Sequence, residues 1–264
     1  MTQQPTLNDV ILLARQAGEI LRQGYGNTHQ VAYKGVINPV TEVDQQSEAF
    51  LLEAIQRRFP GHHIVAEENG EVQGDTDSLW YIDPIDGTVN FAHGIPIFAV
   101  SLAYARQGAM QFGVVYTPLL DECFAAARDQ GATLNGQPIH VSPTDTLDGS
   151  LLVTGFPYHI RTTTENNLNW YAHFALRTQG VRRLGSAALD LCYVAAGRFD
   201  GYWEKFVEPW DVAAGALIAR EAGALVTTYG GTPDILRHPC SVIAATPIIH
   251  AAMLREFREN GLQG

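Results

Sequence analysis

The residues best suited to chemistry lie in one short run, Trp80 to Phe91, which places two carboxylates beside a Gly-Thr turn. The apolar residues before Asp83-Pro84 have the bulk of a buried strand, and Asp86-Gly87 is a second turn dipeptide that redirects the chain. If a short helix begins near Thr88, its unpaired backbone N–H groups point toward the same space, which suits a phosphate. The run predicts a metal site beside a phosphate site; a polar turn whose Asp side chains bond their own backbone is the alternative.

Two further acidic positions follow the same pattern of lying at the end of an element. Glu67 and Glu68 come directly after the apolar residues 64–66, and Asp211 stands at the start of a predicted helix. Carboxylates are hard oxygen ligands, which suit Mg²⁺. The charge of two Mg²⁺ ions would be neutralised by four acids: Glu67, Asp83, Asp86 and Asp211. The hydroxyl of Thr88, the amides of 87–88 and the cation Lys34 could then bind a phosphate. Asp211 could instead only stabilise its own helix N-terminus.

The elements that must position these residues can be read from the apolar spacing. Apolar residues three and four apart predict a first helix from Leu7 to about 24–26. Thr41 to Asp44 approximates a capping box, so a second helix begins there and ends at 60–61. Predicted strands at 64–66 and 79–82 are followed by an antiparallel meander at 97–104, 111–116 and 122–127, a turn at 135–136 and a strand at 138–141.

From about Leu151 strands and helices alternate, which predicts a layered α+β or α/β architecture. The predicted strands are 151–154, 201–203, 224–228 and 241–245, and the predicted helices are 165–178, 186–196, 210–222 and a last one after Pro247. No linker is long enough to separate independent domains. We expect one domain over residues 1–264, with a soft boundary near 142–149 between a metal-binding α+β half (1–145) and an α/β half (146–264).

Composition excludes several classes of protein. The 264 residues are 46% hydrophobic, enough to bury a large core, and no apolar stretch reaches the ~20 residues of a membrane helix. The net charge of −11, without basic runs, argues against nucleic acid and anionic membranes as partners. No secretory signal is visible, and the cysteines at 123, 192 and 240 form neither a disulfide framework nor a zinc pattern. The expected location is therefore the cytoplasm.

Three segments occur together and in order along the chain: 66–69, 80–91, and 210–215 with 221–224. They resemble the three signature motifs of the inositol monophosphatase family of Mg²⁺-dependent phosphatases. Lys34 with residues 40–44, and residues 185–204, extend the resemblance over nearly the whole chain. The resemblance implies a layered α-β-α-β-α sandwich of the type shared with fructose-1,6-bisphosphatase, a homodimer, and inhibition by Li⁺.

The resemblance also implies a role for individual residues. Glu67, Asp83 and the carbonyl of Ile85 would hold one Mg²⁺, and Asp83, Asp86 and Asp211 a second. A third, looser ion would share the side of Glu67, which makes two to three ions in each site. The remaining implied roles are a pair that orients the attacking water, Asp44 with Thr88, and phosphate contacts from Asp86, Gly87 and Thr88.

Other matching positions concern the substrate. Ser186, Ala187, Glu204 and Asp211 match residues that contact hydroxyls of a polyol or sugar, so the expected reaction is hydrolysis of myo-inositol monophosphate to inositol and phosphate. Arg182 and Arg183 could bind anions or form subunit contacts. The chain departs from the pattern at Asn38-Pro39, and the negative charge of Glu208 should disfavour a second phosphate.

Two kinds of alternative remain open. Histidinol phosphate, fructose 1,6-bisphosphate and 3′-phosphoadenosine phosphate are rival substrates for the same chemistry, because a fold does not fix a substrate. An alternative of another class is a regulatory interaction protein with vestigial phosphatase activity.

Overall fold

The computed structural model describes residues 3–27, the backbone of 31–33, and residues 39–260. Within this part the helices are α1 (Leu7–Gly24), α2 (Glu42–Arg58), α3 (Thr88–Ala92), α4 (Leu168–Ala175), α5 (Ala187–Ala195), α6 (Pro209–Glu221) and α7 (Pro247–Glu259). The strands are β1 (Val31–Tyr33), β2 (Pro39–Thr41), β3 (His62–Ala66), β4 (Gly70–Val72), β5 (Asp75–Asp86), β6 (Ala99–Arg106), β7 (Ala109–Thr117), β8 (Glu122–Ala127), β9 (Ala132–Leu134), β10 (Gln137–Pro138), β11 (Leu151–Thr154), β12 (Gly180–Arg182), β13 (Gly201–Val207), β14 (Leu225–Thr227) and β15 (Cys240–Ala245).

Two sheets form the framework. The first has eight strands in the order β10-β9-β8-β7-β6-β5-β3-β4, and the second has five in the order β12-β11-β13-β15-β14. The pairs β5–β6, β6–β7 and β7–β8 are all antiparallel, which confirms the predicted meander. Strand β3 pairs with β5 on its other side and runs parallel to it. The second sheet is mixed, because β11 is parallel to β12 and β13 while β15 is antiparallel to β13 and β14.

Helices cover and separate the two sheets. One apolar cluster joins α1 and α2 to the first sheet, and a second joins α5 and α6 to both sheets. A third cluster packs α4 and α7 on the remaining face of the second sheet, through Trp170, Phe174, Met253 and Phe257. The order of layers is therefore α-β-α-β-α, as the resemblance implied.

The predicted starts of two helices depend on local hydrogen bonds. Thr6 and Thr41 are the N-caps of α1 and α2, and each forms a complete capping box with the residue three positions later. In α2 that residue is Asp44, which therefore lies in the first helical turn with its carboxylate directed back at Thr41. Capping satisfies backbone N–H groups that have no partner inside the helix.

Helix α6 lies unusually close to the first sheet. A Cβ built on Gly113 of β7 would lie 2.7 Å from the carbonyl oxygen of Ala214 in α6, so glycine is what allows the two backbones to approach. On its other side α6 contacts α5, where a Cβ on Gly215 would lie 2.7 Å from that of Leu191. Tight packing on both faces fixes the direction of α6 and hence the position of Asp211 near its N-terminus.

Several element boundaries differ from those predicted. The helix predicted at 165–178 is shorter, because α4 begins only at Leu168, after an Asn167 in the left-handed region (φ 67°). The strand predicted at 138–141 is reduced to β10, while β13 extends past Trp203 to Val207 through a register shift. Strand β12 was not predicted, since three residues give too little periodicity to recognise. The soft boundary at 142–149 stays a prediction; this segment follows the last strand of the first sheet and precedes β11.

Among the described residues, no helix is both long and apolar enough to cross a membrane. The three cysteines are buried and none forms a disulfide.

The close approach at Gly113 can be tested by Gly113→Ala. The added methyl group meets backbone atoms of α6, which cannot rotate away, so we expect the free energy of unfolding to fall by about 1–3 kcal/mol in urea titrations. Gly230→Ala is the matched control, because its Cβ would lie 3.6 Å from the nearest neighbouring atom, the hydroxyl oxygen of Thr228. Equal losses in the two variants would contradict this account of the α6 contact.

Candidate active site

Strand β5 ends by delivering two carboxylates into one space. Its ladder to β6 shifts register between Asp83 and Asp86, and the chain then turns through Gly87, whose φ is 99°. Asp83 Oδ1 accepts the N–H of Ile85 at 2.9 Å, which ties the first carboxylate to the turn that follows it. A Cβ on Gly87 would lie 2.9 Å from a carbonyl oxygen of the neighbouring loop, so both the positive φ and the space require glycine.

The short helix predicted after this turn is present, and its first residue bonds to α2. Thr88 Oγ1 lies 2.9 Å from Asp44 Oδ1 and 3.0 Å from the carbonyl oxygen of Ile85. The other oxygen of Asp44 accepts both the backbone N–H and the hydroxyl of Thr41, at 2.8 and 2.5 Å. Asp44 and Thr88 are buried. The structure thus brings together the two residues that the resemblance pairs, and the same carboxylate also caps α2.

The N-terminus of α5 holds Asp86. Its Oδ2 accepts the hydroxyl of Ser186 at 2.6 Å and the backbone N–H of Ala188 at 2.7 Å. Ser186 is the N-cap of α5 and also accepts the N–H of Leu189. A carboxylate at a helix N-terminus is stabilised by the helix dipole and by the free N–H groups. The contact that the structure shows for Ser186 is therefore with Asp86, and its predicted contact with substrate stays a prediction.

Asp211 reaches the same space from the start of α6. Its Oδ2 accepts the N–H of Glu208 at 2.8 Å in a second capping box, and Pro209 occupies the first helical turn. The carbonyl oxygen of Trp210 accepts the hydroxyl of Ser101 at 3.2 Å, which fastens this turn to β6. Asp211 therefore stabilises the N-terminus of its own helix, as the alternative interpretation predicted, and it also belongs to the acidic cluster.

The acids strongly affect one another. Burial raises the pKa of Asp83 well above its ordinary value, and the nearby carboxylates of Glu67, Asp86 and Asp211 raise it further. Burial likewise raises the pKa of Asp211, with Asp86 and Glu67 as the next causes. For Asp86 burial raises the pKa to about 6, although the bonds from Ser186 and Ala188 act in the opposite direction. Several negative charges in one buried space favour either protonation or a bound cation.

The donor set fits a hard divalent cation. Asp83, Asp86 and Asp211 each use a carboxylate oxygen for a bond to a backbone N–H, which orients the carboxylate in the cavity. All the donors are oxygens, which Mg²⁺ prefers. Across the described ranges, no three His, Cys, Asp or Glu side chains are already close enough to enclose a metal ion. The fit therefore rests on the chemistry and burial of the donors rather than on a finished coordination geometry.

A cavity of about 450 Å³ opens above the acids. Its lining combines both halves of the chain, with Glu67, Asp83, Ile85, Asp86, Gly87 and Thr88 from the first half and Ser186, Ala187, Glu204, Glu208 and Asp211 from the second. Inside the cavity, Glu204 Oε2 accepts the hydroxyl of Tyr202 at 2.8 Å, and burial raises the pKa of Glu204 to about 7. At the rim, the Glu208 carboxylate lies 3.6 Å from Nδ1 of His238.

Three further predicted positions are Lys34, Arg182 and the carbonyl of Ile85. Lys34 lies outside the described residues. Arg182 is exposed on β12 and does not line the cavity, whereas the neighbouring Arg183 does. The carbonyl of Ile85 is near the acids, as predicted for a ligand, and it is also the second acceptor within reach of the Thr88 hydroxyl.

Sequence reasoning missed one buried acid that supports the site. Glu48 is fully buried on α2, one turn after Asp44, and its carboxylate accepts the N–H groups of Glu68 and Asn69 at 2.8 and 2.7 Å. It also accepts the side-chain amide of Asn69 at 2.7 Å. These bonds fix the turn that directly follows Glu67. The available signal was the spacing of Glu48 from Asp44, which puts both on one face of the helix.

Comparison with families of known proteins gives one match over almost the whole chain. The model described as "Inositol monophosphatase family" matches residues 2–262. Among curated proteins, "Inositol-1-monophosphatase" of Synechocystis is 50% identical over 219 residues, which are 82% of this chain and 76% of the relative. "Nus factor SuhB" of Vibrio cholerae is 42% identical over 260 residues, 97% of each chain.

Solved structures agree with these matches. An inositol monophosphatase from Anabaena superposes with a TM-score of 0.87 at 45% identity, over 96% of this chain and 95% of the other. The extragenic suppressor protein suhB from Bartonella henselae superposes with a TM-score of 0.90 at 37% identity, over 96% and 98% of the two chains.

The supporting function of Glu48 can be tested by Glu48→Gln. The amide replaces one of two oxygens that accept N–H groups, so we expect the free energy of unfolding to fall by about 1–3 kcal/mol. Because the turn after Glu67 loosens, Mg²⁺ affinity measured by calorimetry should fall about 10- to 100-fold.

Glu221→Gln is the matched control for that experiment. Glu221 also accepts two backbone N–H groups of one turn, from Asp129 and Gly131 at 2.9 and 2.8 Å, and it does not line the cavity. We expect a similar loss of stability and an unchanged Mg²⁺ affinity. If both variants weaken Mg²⁺ binding equally, Glu48 is only a structural residue.

Proposed function

The chain belongs to the inositol monophosphatase family and is a phosphatase, and we propose that it hydrolyses a small polyol phosphate monoester in a Mg²⁺-dependent reaction. The proposed substrate is myo-inositol monophosphate, and the products are inositol and phosphate. The observation that carries this proposal is the convergence of Asp83, Asp86 and Asp211 in one buried space beside the bonded pair Asp44 and Thr88.

The cofactor part of the proposal rests on the donor chemistry. Glu67, Asp83, the carbonyl of Ile85, Asp86 and Asp211 would hold two to three Mg²⁺ ions. When bound, Mg²⁺ lowers the pKa of a coordinated water and stabilises negative charge on the phosphoryl oxygens and the leaving oxygen.

The side chains would orient the attacking water. Asp44 has both oxygens engaged, one by Thr41 and one by Thr88, so its carboxylate is fixed in orientation. When Thr88 donates its only hydroxyl proton to Asp44, the lone pairs of Oγ1 are left to accept a hydrogen bond from water. That bond would direct the water at phosphorus, while the backbone N–H groups of Gly87 and Thr88 contact the phosphate, as the family resemblance implies.

The second half of the chain would contact the leaving alcohol. Ser186, Ala187, Glu204 and Asp211 are the proposed substrate contacts, and all of them line the cavity beside the acids. Glu208 adds a negative charge at the rim, which should disfavour substrates that carry a second phosphate. For that reason a monophosphate is preferred over fructose 1,6-bisphosphate and 3′-phosphoadenosine phosphate, while histidinol phosphate remains a rival substrate.

Further parts of the proposal rest on the resemblance to the family. They are a homodimer and inhibition by Li⁺. Location in the cytoplasm is proposed from the three unpaired, buried cysteines. Lys34 is proposed as a cation near the phosphate, and Arg182, exposed on β12, as a subunit contact.

The proposed reaction is tested by phosphate release from a panel of esters with and without Mg²⁺. We expect wild type to favour inositol monophosphate over bisphosphates, and Asp86→Asn to abolish release. Thr88→Val should lower kcat by about 10²- to 10⁴-fold with little change in KM, because the hydroxyl acts on the water and not on the ester. Thr88→Ser keeps the hydroxyl and is the control. Equal activity of wild type and Asp86→Asn, or inertness of both on every ester, would refute the proposal.

A regulatory function is the second candidate. It is favoured by the Vibrio cholerae relative, which is named a Nus factor and matches 97% of this chain. The net charge of −11 makes a protein partner more suitable than nucleic acid for such a function.

This second candidate is tested by transcription in vitro with purified bacterial RNA polymerase. If the protein has a regulatory function, adding it should change the yield of terminated transcripts, and Asp86→Asn should have the same effect as wild type. Transcript yields that do not respond to micromolar protein would exclude a Nus-like function, and a response lost in Asp86→Asn would link the effect to catalysis.

A further inference from the structure

The cavity contains one buried acid that neither the fold nor the proposed chemistry uses. Asp190 lies on α5 one turn after Ser186, is 1% exposed, and contributes to the lining of the cavity. Its Oδ1 is enclosed and has no hydrogen-bond partner. No described residue donates to the other carboxylate oxygen either. An unpaired buried carboxyl group is costly, so its presence calls for a partner that the chain itself does not supply.

Other buried aspartates of this protein accept hydrogen bonds from its own N–H and hydroxyl groups. Asp200, which is 7% exposed, accepts the N–H of Leu151 at 2.6 Å through one oxygen and bonds to the Ser142 hydroxyl through the other. Asp44 and Asp86 also bond to hydroxyl and N–H groups. This fold therefore satisfies its structural aspartates with its own donors. Asp190 lines the cavity and differs from them in having no such donor.

The groups around Asp190 indicate the chemistry of its partner. Glu204 and Arg183 also line the cavity. Burial raises the pKa of Asp190 most, Glu204 and then Asp86 raise it further, and Arg183 lowers it, so these groups are close enough to act on its charge. One oxygen of Glu204 is already bonded to Tyr202. Two carboxyl groups and one guanidinium therefore present both acceptors and a donor. Hydroxyl groups both donate and accept, so neighbouring hydroxyls on one ring suit this arrangement.

We infer that Asp190 is a further substrate-binding residue, which hydrogen-bonds a hydroxyl of the leaving polyol or sugar on the side of the cavity formed by Glu204 and Arg183. This inference rests on the proposed phosphatase function. The phosphate would lie at the acids of the first half, and the alcohol would extend toward α5. Esters whose alcohol carries several hydroxyls should then gain from Asp190, and esters without hydroxyls should not.

The test compares kcat/KM for two esters in saturating Mg²⁺. One is myo-inositol 1-phosphate, whose alcohol has five free hydroxyls, and the other is phenyl phosphate, whose alcohol has none. For Asp190→Ala we expect the ratio of kcat/KM for the inositol ester to that for the phenyl ester to fall about tenfold, mainly through KM of the inositol ester. Asp190→Asn keeps one acceptor oxygen and should restore most of the ratio.

Cys192→Ala is the control for disturbance of the helix. Cys192 is fully buried two residues further along α5 and does not line the cavity, so its variant should keep the wild-type ratio. A ratio unchanged in Asp190→Ala, or a parallel fall for both esters, would overturn the assignment while leaving the phosphatase function standing. If wild type hydrolyses neither ester, the proposed function fails and the role of Asp190 fails with it.

Discussion

The mutual repulsion of carboxylates in one buried space is the constraint on which the rest of this structure depends. Burial raises the pKa of Asp83, Asp86 and Asp211, and neighbouring carboxylates raise those of Asp83 and Asp211 further. Such a cluster would spread apart unless each member were tied to something rigid. In this protein each is tied by a backbone N–H, from a strand-end turn or from a helix N-terminus. The backbone thus provides both the electrostatic compensation and the placement.

These ties also explain why the site needs both sheets. Strand β5 and helix α2 belong with the first sheet, whereas α5 and α6 lie between the sheets and contact both. The N-terminus of α5 reaches Asp86, and Asn90 of α3 donates to the carbonyl oxygens of Ile97 and Leu184 at 2.8 Å, which joins the two halves a second time. The position of the acids is therefore a property of the interface between layers, and neither half alone could hold the cluster together.

The sequence alone was sufficient where function coincides with local patterning. Asp44 was found through a capping box, and Asp83 and Asp86 through a strand that ends in turn dipeptides, because both signals extend over only a few residues. Glu48 and Asp190 could not be found in this way. In the sequence Glu48 resembles any polar helix residue, because its function depends on the turn after Glu67 that packs against it. Asp190 is distinguished from the other acids only by the lack of a hydrogen-bond donor near its Oδ1 atom, which the sequence does not show. Both depend on tertiary contacts, on which periodicity carries no information.

The carboxylate of Asp44 belongs to two hydrogen-bond systems at once. It closes the capping box at the start of α2, and it accepts from Thr88 at the site. The first turn of α2 therefore cannot be optimised for stability without altering the group that accepts the Thr88 hydroxyl. An engineer who exchanged Asp44 for another good capping residue would keep the helix and change the orientation of Thr88. In this protein helix-cap design, an accessible route to thermostability, is therefore constrained at the start of α2, because the acid of that capping box is also bonded to Thr88.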